Sequence, residues 1–242
     1  ILGDLAATPQ NRRFLGYYSL HGIELALEKG GALDHIRALG FSSPTFEMDL
    51  TNPSGDTLRL FGDAEKTELL MEIRVRRDRR TIPGMETLCV EWLLLQNPRL
   101  AFSPDRPRLP GQRYPGLGML RDVVSFLILV CDRLHLDGVF FVPSHYHLAA
   151  QSRKLLRFLD PRDEGRFRAL RAAVERLPLI EGSRAVDDGR LVDRDTGEPV
   201  AWQPAPMVLP VSDRLRERLL GEEYERQAQA AREGFCFVLA EA

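Results

Sequence analysis

The stretch from Leu88 to Phe158 constrains the fold of this chain more than any other. Leu88 to Leu95 is a nearly unbroken apolar run of strand length, as expected of a central strand. Proline and arginine then take over across 97–115, where Asn97-Pro98, Ser103-Pro104, Arg106-Pro107 and Leu109-Pro110-Gly111 follow one another. Such a stretch excludes helix and interior strand, because proline lacks the amide donor and restrains the residue before it. A loop this long inside a compact domain is usually functional or mobile. Arg113-Tyr114-Pro115-Gly116-Leu117-Gly118 comes next, and leads into a helix expected over Met119 to Leu134. That helix is apolar almost all round and is therefore read as buried. Asp137-Gly138 ends it, Val139–Val142 reads as a short buried strand, and Ala149 to Leu159 as a further helix.

The rest of the chain fits around this unit. Residues 14–39 carry apolar side chains at helix spacing, with Gly30-Gly31 splitting the run in two. From Pro44 the period changes to two. Thr45–Leu50 and Thr57–Phe61 alternate about an Asn52–Asp56 turn, and Leu69 to Val75 is a third strand. Arg76–Arg80 reads as a solvated hairpin tip, since an aspartate splits it and no aromatics interleave. Beyond Pro161 the sequence predicts an amphipathic helix over Glu164–Leu177 and a polar hairpin over 183–202. A charged helix over Ser212–Arg232 opens on a Ser-Asp cap, and a closing strand spans Phe235–Leu239. The expected class is α/β, a mixed, mostly antiparallel sheet with helices on both faces. Its core would span 1–160, with 161–242 an extension completing or flanking it.

Composition bounds the function. With 242 residues and 44% hydrophobic content, the chain can bury one large core or two small ones. A net charge of -2 excludes a strongly basic field of the kind that draws a whole surface onto nucleic acid. Cys89, Cys131 and Cys236 are widely spaced in apolar surroundings, which argues for reduced thiols in a cytosolic protein rather than a disulfide framework or zinc site. No apolar window reaches membrane-spanning length, and no signal peptide is visible at Ile1. Three lysines stand against 30 arginines, a skew expected of a G+C-rich bacterial genome.

The chemistry is expected at Arg113–Gly118. Glycines at 116 and 118 let the backbone approach a ligand closely, and the amides that follow open a helix. Unpaired amide donors and the helix dipole together favour an anion there. Arg113 adds a bidentate cation suited to phosphate. The pattern is not the dinucleotide fingerprint, since the third glycine is missing, nor a P-loop, since no Gly-Lys-[Ser/Thr] occurs.

With these residues in place, the sequence resembles the GNAT superfamily of N-acyltransferases. Arg113-Tyr114-Pro115-Gly116-Leu117-Gly118 looks like that family's pyrophosphate loop, Met119–Leu134 like its third helix and Gly138–Val142 like its fifth strand. Ala149–Phe158 looks like its following helix. The resemblance implies acetyl-CoA or a longer acyl-CoA as donor and a small-molecule or peptide amine as acceptor. It implies that the amides after Arg113, from Tyr114 through Gly116, Leu117, Gly118 and Met119, hold the pyrophosphate. The edge of the strand at Leu94, Leu95 and Gln96 would pair with pantetheine. Three departures from the family are plain. Residues 99–112 are inserted before the loop, the usual general-acid tyrosine falls near Arg153, and the usual glycine before Phe158 is Arg157.

Three side chains are candidates for proton transfer. Glu91 lies on the apolar fourth strand, where a carboxylate could take the amine proton directly or through water, or else face solvent or pair with an arginine. His145 and Tyr146 follow the Val139–Val142 strand at its C-terminal end, where α/β sites gather polar groups. They would serve as base and replacement acid, or as a polar cap on the next helix. A His145–His147 metal pair lacks an evident third ligand. Trp92, Phe126, Phe140 and Phe141 read as core, and Cys131 as packing. A non-catalytic acyl-CoA-binding module is the alternative.

Overall fold

A computed structural model describes residues 13–105 and 107–240. Arg106, named above in the proline-rich stretch, lies outside the described residues. The chain is α/β, with a mixed, mostly antiparallel sheet flanked by helices. Its contacts divide it into two compact units that share strand β4 and helix α3 along the chain. The first takes residues up to Arg77, Val90–Arg99 and Gly116–Val124; the second takes Asp78–Cys89, Leu100–Pro115 and everything from Ser125.

In the first unit, α1 (Leu20–Lys29) starts at the Ser19 cap, whose hydroxyl accepts from the Gly22 amide. Gly31, at φ 76°, turns the chain into α2 (Ala32–Ala38). Ile23 and Ile36 are fully buried, so the two helices share one apolar face. Strands β1 (Thr45–Asp49) and β2 (Asp56–Phe61) form the expected hairpin, with the Asn52 side chain accepting from the Ser54 amide in the turn. β3 (Leu69–Asp78) pairs antiparallel with β2 and neighbours β4 (Thr87–Leu95). Register sets Arg59 opposite both Glu47 and Glu72, and its guanidinium bonds to both carboxylates. Such cross-strand pairs fix register more than they add stability.

In the second unit, the first residues of β4 run parallel to β5 (Gly138–Phe141), with Thr87, Leu88 and Cys89 opposite Gly138, Val139 and Phe140. The connection between them includes the proline-rich loop and α3 (Leu120–Leu134), as a parallel crossover requires. β8 (Met207–Pro210) lies antiparallel between β5 and β6 (Arg157–Phe158), so the last third of the sequence supplies a strand to the sheet. α4 (Tyr146–Ser152), α5 (Pro161–Ala173) and α6 (Leu179–Asp187) follow β5. β7 (Leu191–Asp193) pairs with β9 (Phe237–Leu239) in a separate ribbon. α7 (Asp213–Leu220) and α8 (Glu222–Glu233) complete the unit. Ile82, Cys89, Phe140, Val208, Leu215 and Tyr224 belong to one apolar cluster of this unit.

Several expectations are corrected. α3 is one-sided rather than buried all round: Val123, Leu127, Val130 and Cys131 are buried while Ile128 and Leu129 are exposed, Leu129 by 62%. Trp92 is 48% exposed, not core, whereas Phe140 is buried and Phe126 and Phe141 are half-buried. The helix expected over Ala149–Leu159 begins earlier and stops at Ser152, because Phe158 is drawn into β6 against Met207. The helix expected over Ser212–Arg232 is two, broken where Gly221 is extended (φ -73°, ψ 161°). The polar segment 183–202 holds the end of α6 and β7, and β7 pairs with β9 as well as bridging back from Val192 to Pro199.

Cys131 behaves as packing, fully buried in α3, and burial pushes its thiol up to about 12. Iodoacetamide at pH 8 is therefore expected to leave Cys131 unlabelled in the folded chain and to label it in denaturant. Labelling in the native state, read by peptide mass spectrometry, would contradict this packing. Among the described residues no helix is long and apolar enough to cross a membrane.

Candidate functional site

The segment Gly116–Met119 alternates in burial. Leu117 and Met119 are each 3% exposed, whereas Gly116 and Gly118 face solvent. Two apolar side chains thus anchor the turn while its backbone stays open. Gly118 sits at φ 87°, in the left-handed region where a side chain would be strained. From α2, the His35 Nε2–H donates to the Leu117 carbonyl at 3.3 Å, a second anchor within the first unit. The Met119 carbonyl accepts from the Val123 amide, so the amides of Leu120 to Asp122 precede the first intrahelical bond of α3. Asp122 in that first turn also favours the dipole and would oppose a second anion beside it.

A Cβ placed on Gly116 would meet nothing closer than the Leu95 carbonyl oxygen, 4.0 Å away. The turn therefore stands beside the end of β4 with open space before it. On that strand end Leu94, Leu95 and Gln96 are half-buried. Gln96 gives two of its donors to β3: its amide bonds to the Leu70 carbonyl at 2.9 Å and its side chain to the Leu69 carbonyl at 3.0 Å. Glu91 points outward, and its carboxylate accepts from Arg76 Nε at 2.5 Å.

Arg113, Tyr114, His145 and Tyr146 belong to the second unit. Arg113 is exposed, with its guanidinium over the Tyr114 ring at 5.4 Å. The turn before it is closed by hydrogen bonds from Arg108 Nε to the Gln112 carbonyl (2.6 Å) and from the Leu109 amide to the Gln112 side chain (3.1 Å). Tyr146 is 3% exposed, packed between Phe167 and Trp202, and burial pushes its hydroxyl up to about 12. It is a reluctant acid in that environment. The His145 Nδ1 lies 3.3 Å from Asp187 Oδ2, and the His147 Nδ1 lies 3.2 Å from Ser183 Oγ. Both partners come from α6. Among the described residues no group of three His, Cys, Asp or Glu is placed to hold a metal ion.

Sequence reasoning missed His35, Ser183 and Asp187. His35 is 82 residues from Leu117 and Asp187 is 42 from His145, separations at which no spacing rule operates. No protein-family model matches the sequence, and no curated protein is significantly similar to it.

Proposed function

We propose that this chain is an acyl-coenzyme A-dependent N-acyltransferase with a small-molecule or peptide amine as acceptor. The observation that carries the reading is the turn at Gly116–Met119. Its glycine backbone is exposed, its two apolar side chains are buried, and it opens directly into α3. That arrangement fits an anion approached by backbone amides. A parallel step from β4 through this turn and α3 to β5 supports the acyltransferase-like reading of the fold, as does β8 lying between β5 and β6.

The donor contributes an activated thioester, and the chain's own groups orient it and handle a proton. The amides from Gly116 onward hold the pyrophosphate, which leaves the acyl end to lie along β4. Gln96 steadies that strand end through its two bonds to β3. Attack by the amine on the thioester carbonyl is then direct, with no acyl-enzyme required.

A second reading, an acyl-CoA-binding module without chemistry, is favoured by two observations. Glu91 is paired with Arg76, and Tyr146 is packed among aromatic rings. Thiol release from acetyl-, octanoyl- and palmitoyl-CoA across a panel of primary amines separates the two. Turnover above the buffer rate supports transfer; binding without turnover supports the module.

A further inference from the structure

Helix α2 sends one side chain to the glycine turn. Leu33 and Ile36 bury its apolar side, and Arg37 bonds Asp34 and, on α1, Glu28, so the helix is held in place. His35 is an exposed residue of this helix, and its Nε2 lies 3.3 Å from the Leu117 carbonyl oxygen. A carbonyl only accepts, so the ring proton sits on Nε2 and Nδ1 carries the lone pair of the neutral ring. A Cβ on Gly118 would stand 3.6 Å from the same Nε2 and 3.9 Å from Cε1, so the imidazole lies along one side of the turn.

A peptide unit is planar and trans, so its C=O and N–H point in opposite directions. Drawing the Leu117 oxygen toward α2 therefore turns the Gly118 N–H away from α2. Gly118 is exposed, and among the described residues no group accepts from the amides of Leu117, Gly118 or Met119. Turning this peptide plane over would carry the φ of Gly118 from 87° into the opposite half of the map, which glycine tolerates as readily. The Leu117 carbonyl would then face an approaching anion where the Gly118 amide now stands. The bond from His35 selects the donor over the acceptor.

We infer that His35 is a positioning residue for the pyrophosphate: by holding the Leu117 carbonyl it presents the Gly118 amide to the diphosphate of the coenzyme. The inference rests on the acyl-CoA reading and names the donor that meets the anion and the side chain that aims it. His35 acts through the backbone and makes no contact with the ligand. Every group in the arrangement belongs to the first unit.

Three measurements on the full chain test the assignment. Nitrogen NMR at pH 8 is expected to show His35 as the Nε2–H tautomer, and an Nδ1–H ring overturns it. Inorganic pyrophosphate is expected to move the Gly118 amide proton downfield; a resonance that stays put while pyrophosphate binds overturns it as well. By calorimetry, His35→Ala is expected to weaken both pyrophosphate and acetyl-CoA about fivefold, the change that one hydrogen bond of ordinary net strength supports by setting the fraction of turns in the binding form. His35→Gln, whose side-chain amide can donate to the same carbonyl, should bind within twofold of the original. Unchanged affinity in a folded His35→Ala protein overturns the positioning role and leaves the acyl-CoA reading standing, and so does a loss as large in His35→Gln as in His35→Ala. Binding of pyrophosphate without acetyl-CoA removes the acyl-CoA reading while His35 keeps its role. Binding of neither removes both.

Discussion

Asp137→Ala is expected to cost about 3 kcal/mol of folding stability, with a fall in Tm of roughly 6–12 °C for a chain of this size. Asp137 is 4% exposed, and both its oxygens are used twice. Oδ1 accepts from Ser212 Oγ at 2.7 Å and Arg214 Nε at 2.6 Å; Oδ2 accepts from the Glu86 amide at 2.9 Å and a second Arg214 nitrogen at 2.5 Å. Its backbone joins the same knot, donating to the Glu86 carbonyl and accepting from the amides of Val211 and Ser212. One side chain thus ties the entry of β4, the start of β5 and the cap of α7. Alanine leaves the Glu86 amide and the Ser212 hydroxyl without that acceptor, and desolvated donors are expensive to abandon.

The pH dependence has a definite sign. Hydrogen bonds from Arg214, then from Ser212 and the Glu86 amide, outweigh burial and hold the Asp137 carboxyl at about 2. A carboxyl depressed in the folded state contributes stability that is full above its unfolded value, about 3.9, and fades as pH falls through about 2. Urea melts of the original chain should therefore lose stability between about pH 4 and pH 2 that Asp137→Asn does not lose. Parallel acid sensitivity in the two proteins would show that the carboxylate is not the cause.

The second large effect reverses the usual preference for alanine in helices. Gly165 lies inside α5, where propensity alone would credit Gly165→Ala with about 1 kcal/mol. A Cβ there would fall 2.6 Å from the Arg232 amide nitrogen, 2.7 Å from the Ala228 carbonyl oxygen and 2.8 Å from Ala231 Cβ. The first two are backbone atoms of α8, so relief requires the helices to part. They are fastened nearby: Arg168 bonds Glu225 and Glu164, and the Tyr224 hydroxyl donates to the Phe158 carbonyl. Overpacking should win, with Gly165→Ala destabilising by roughly 1–3 kcal/mol and valine by more. Chemical denaturation decides it; a stabilised alanine variant would mean α5 and α8 do not approach so closely.

Local features were legible in the sequence where local physics fixes them. Gly30-Gly31 divides α1 from α2, Asn52 turns β1 into β2, and Ser212 caps α7, each by an interaction within a few residues. Composition identified α3 but not its faces, because Ile128 and Leu129 read like Leu127 and Val130 until a neighbour is placed against one side. The end of α4 was illegible because Phe158 answers to Met207, far along the chain. The candidate site divides the same way. Gly116 and Gly118 were readable as an exposed turn before a helix, while the partner of His145 was not. Asp187 sits in a segment whose polar residues suggest a hairpin, and only the packing of α4 on α6 brings it to the imidazole.

Titration of acetyl-CoA into the original chain and into Gly116→Phe, followed by calorimetry, tests the central claim most directly. Gly116 is exposed and a Cβ there would meet nothing closer than 4.0 Å, so the substitution should leave Tm within about 2 °C while filling the space before the turn. The account predicts binding by the original chain and at least a tenfold loss, about 1.4 kcal/mol, in the variant. No binding by the original chain, or equal affinity in the two proteins, would contradict it.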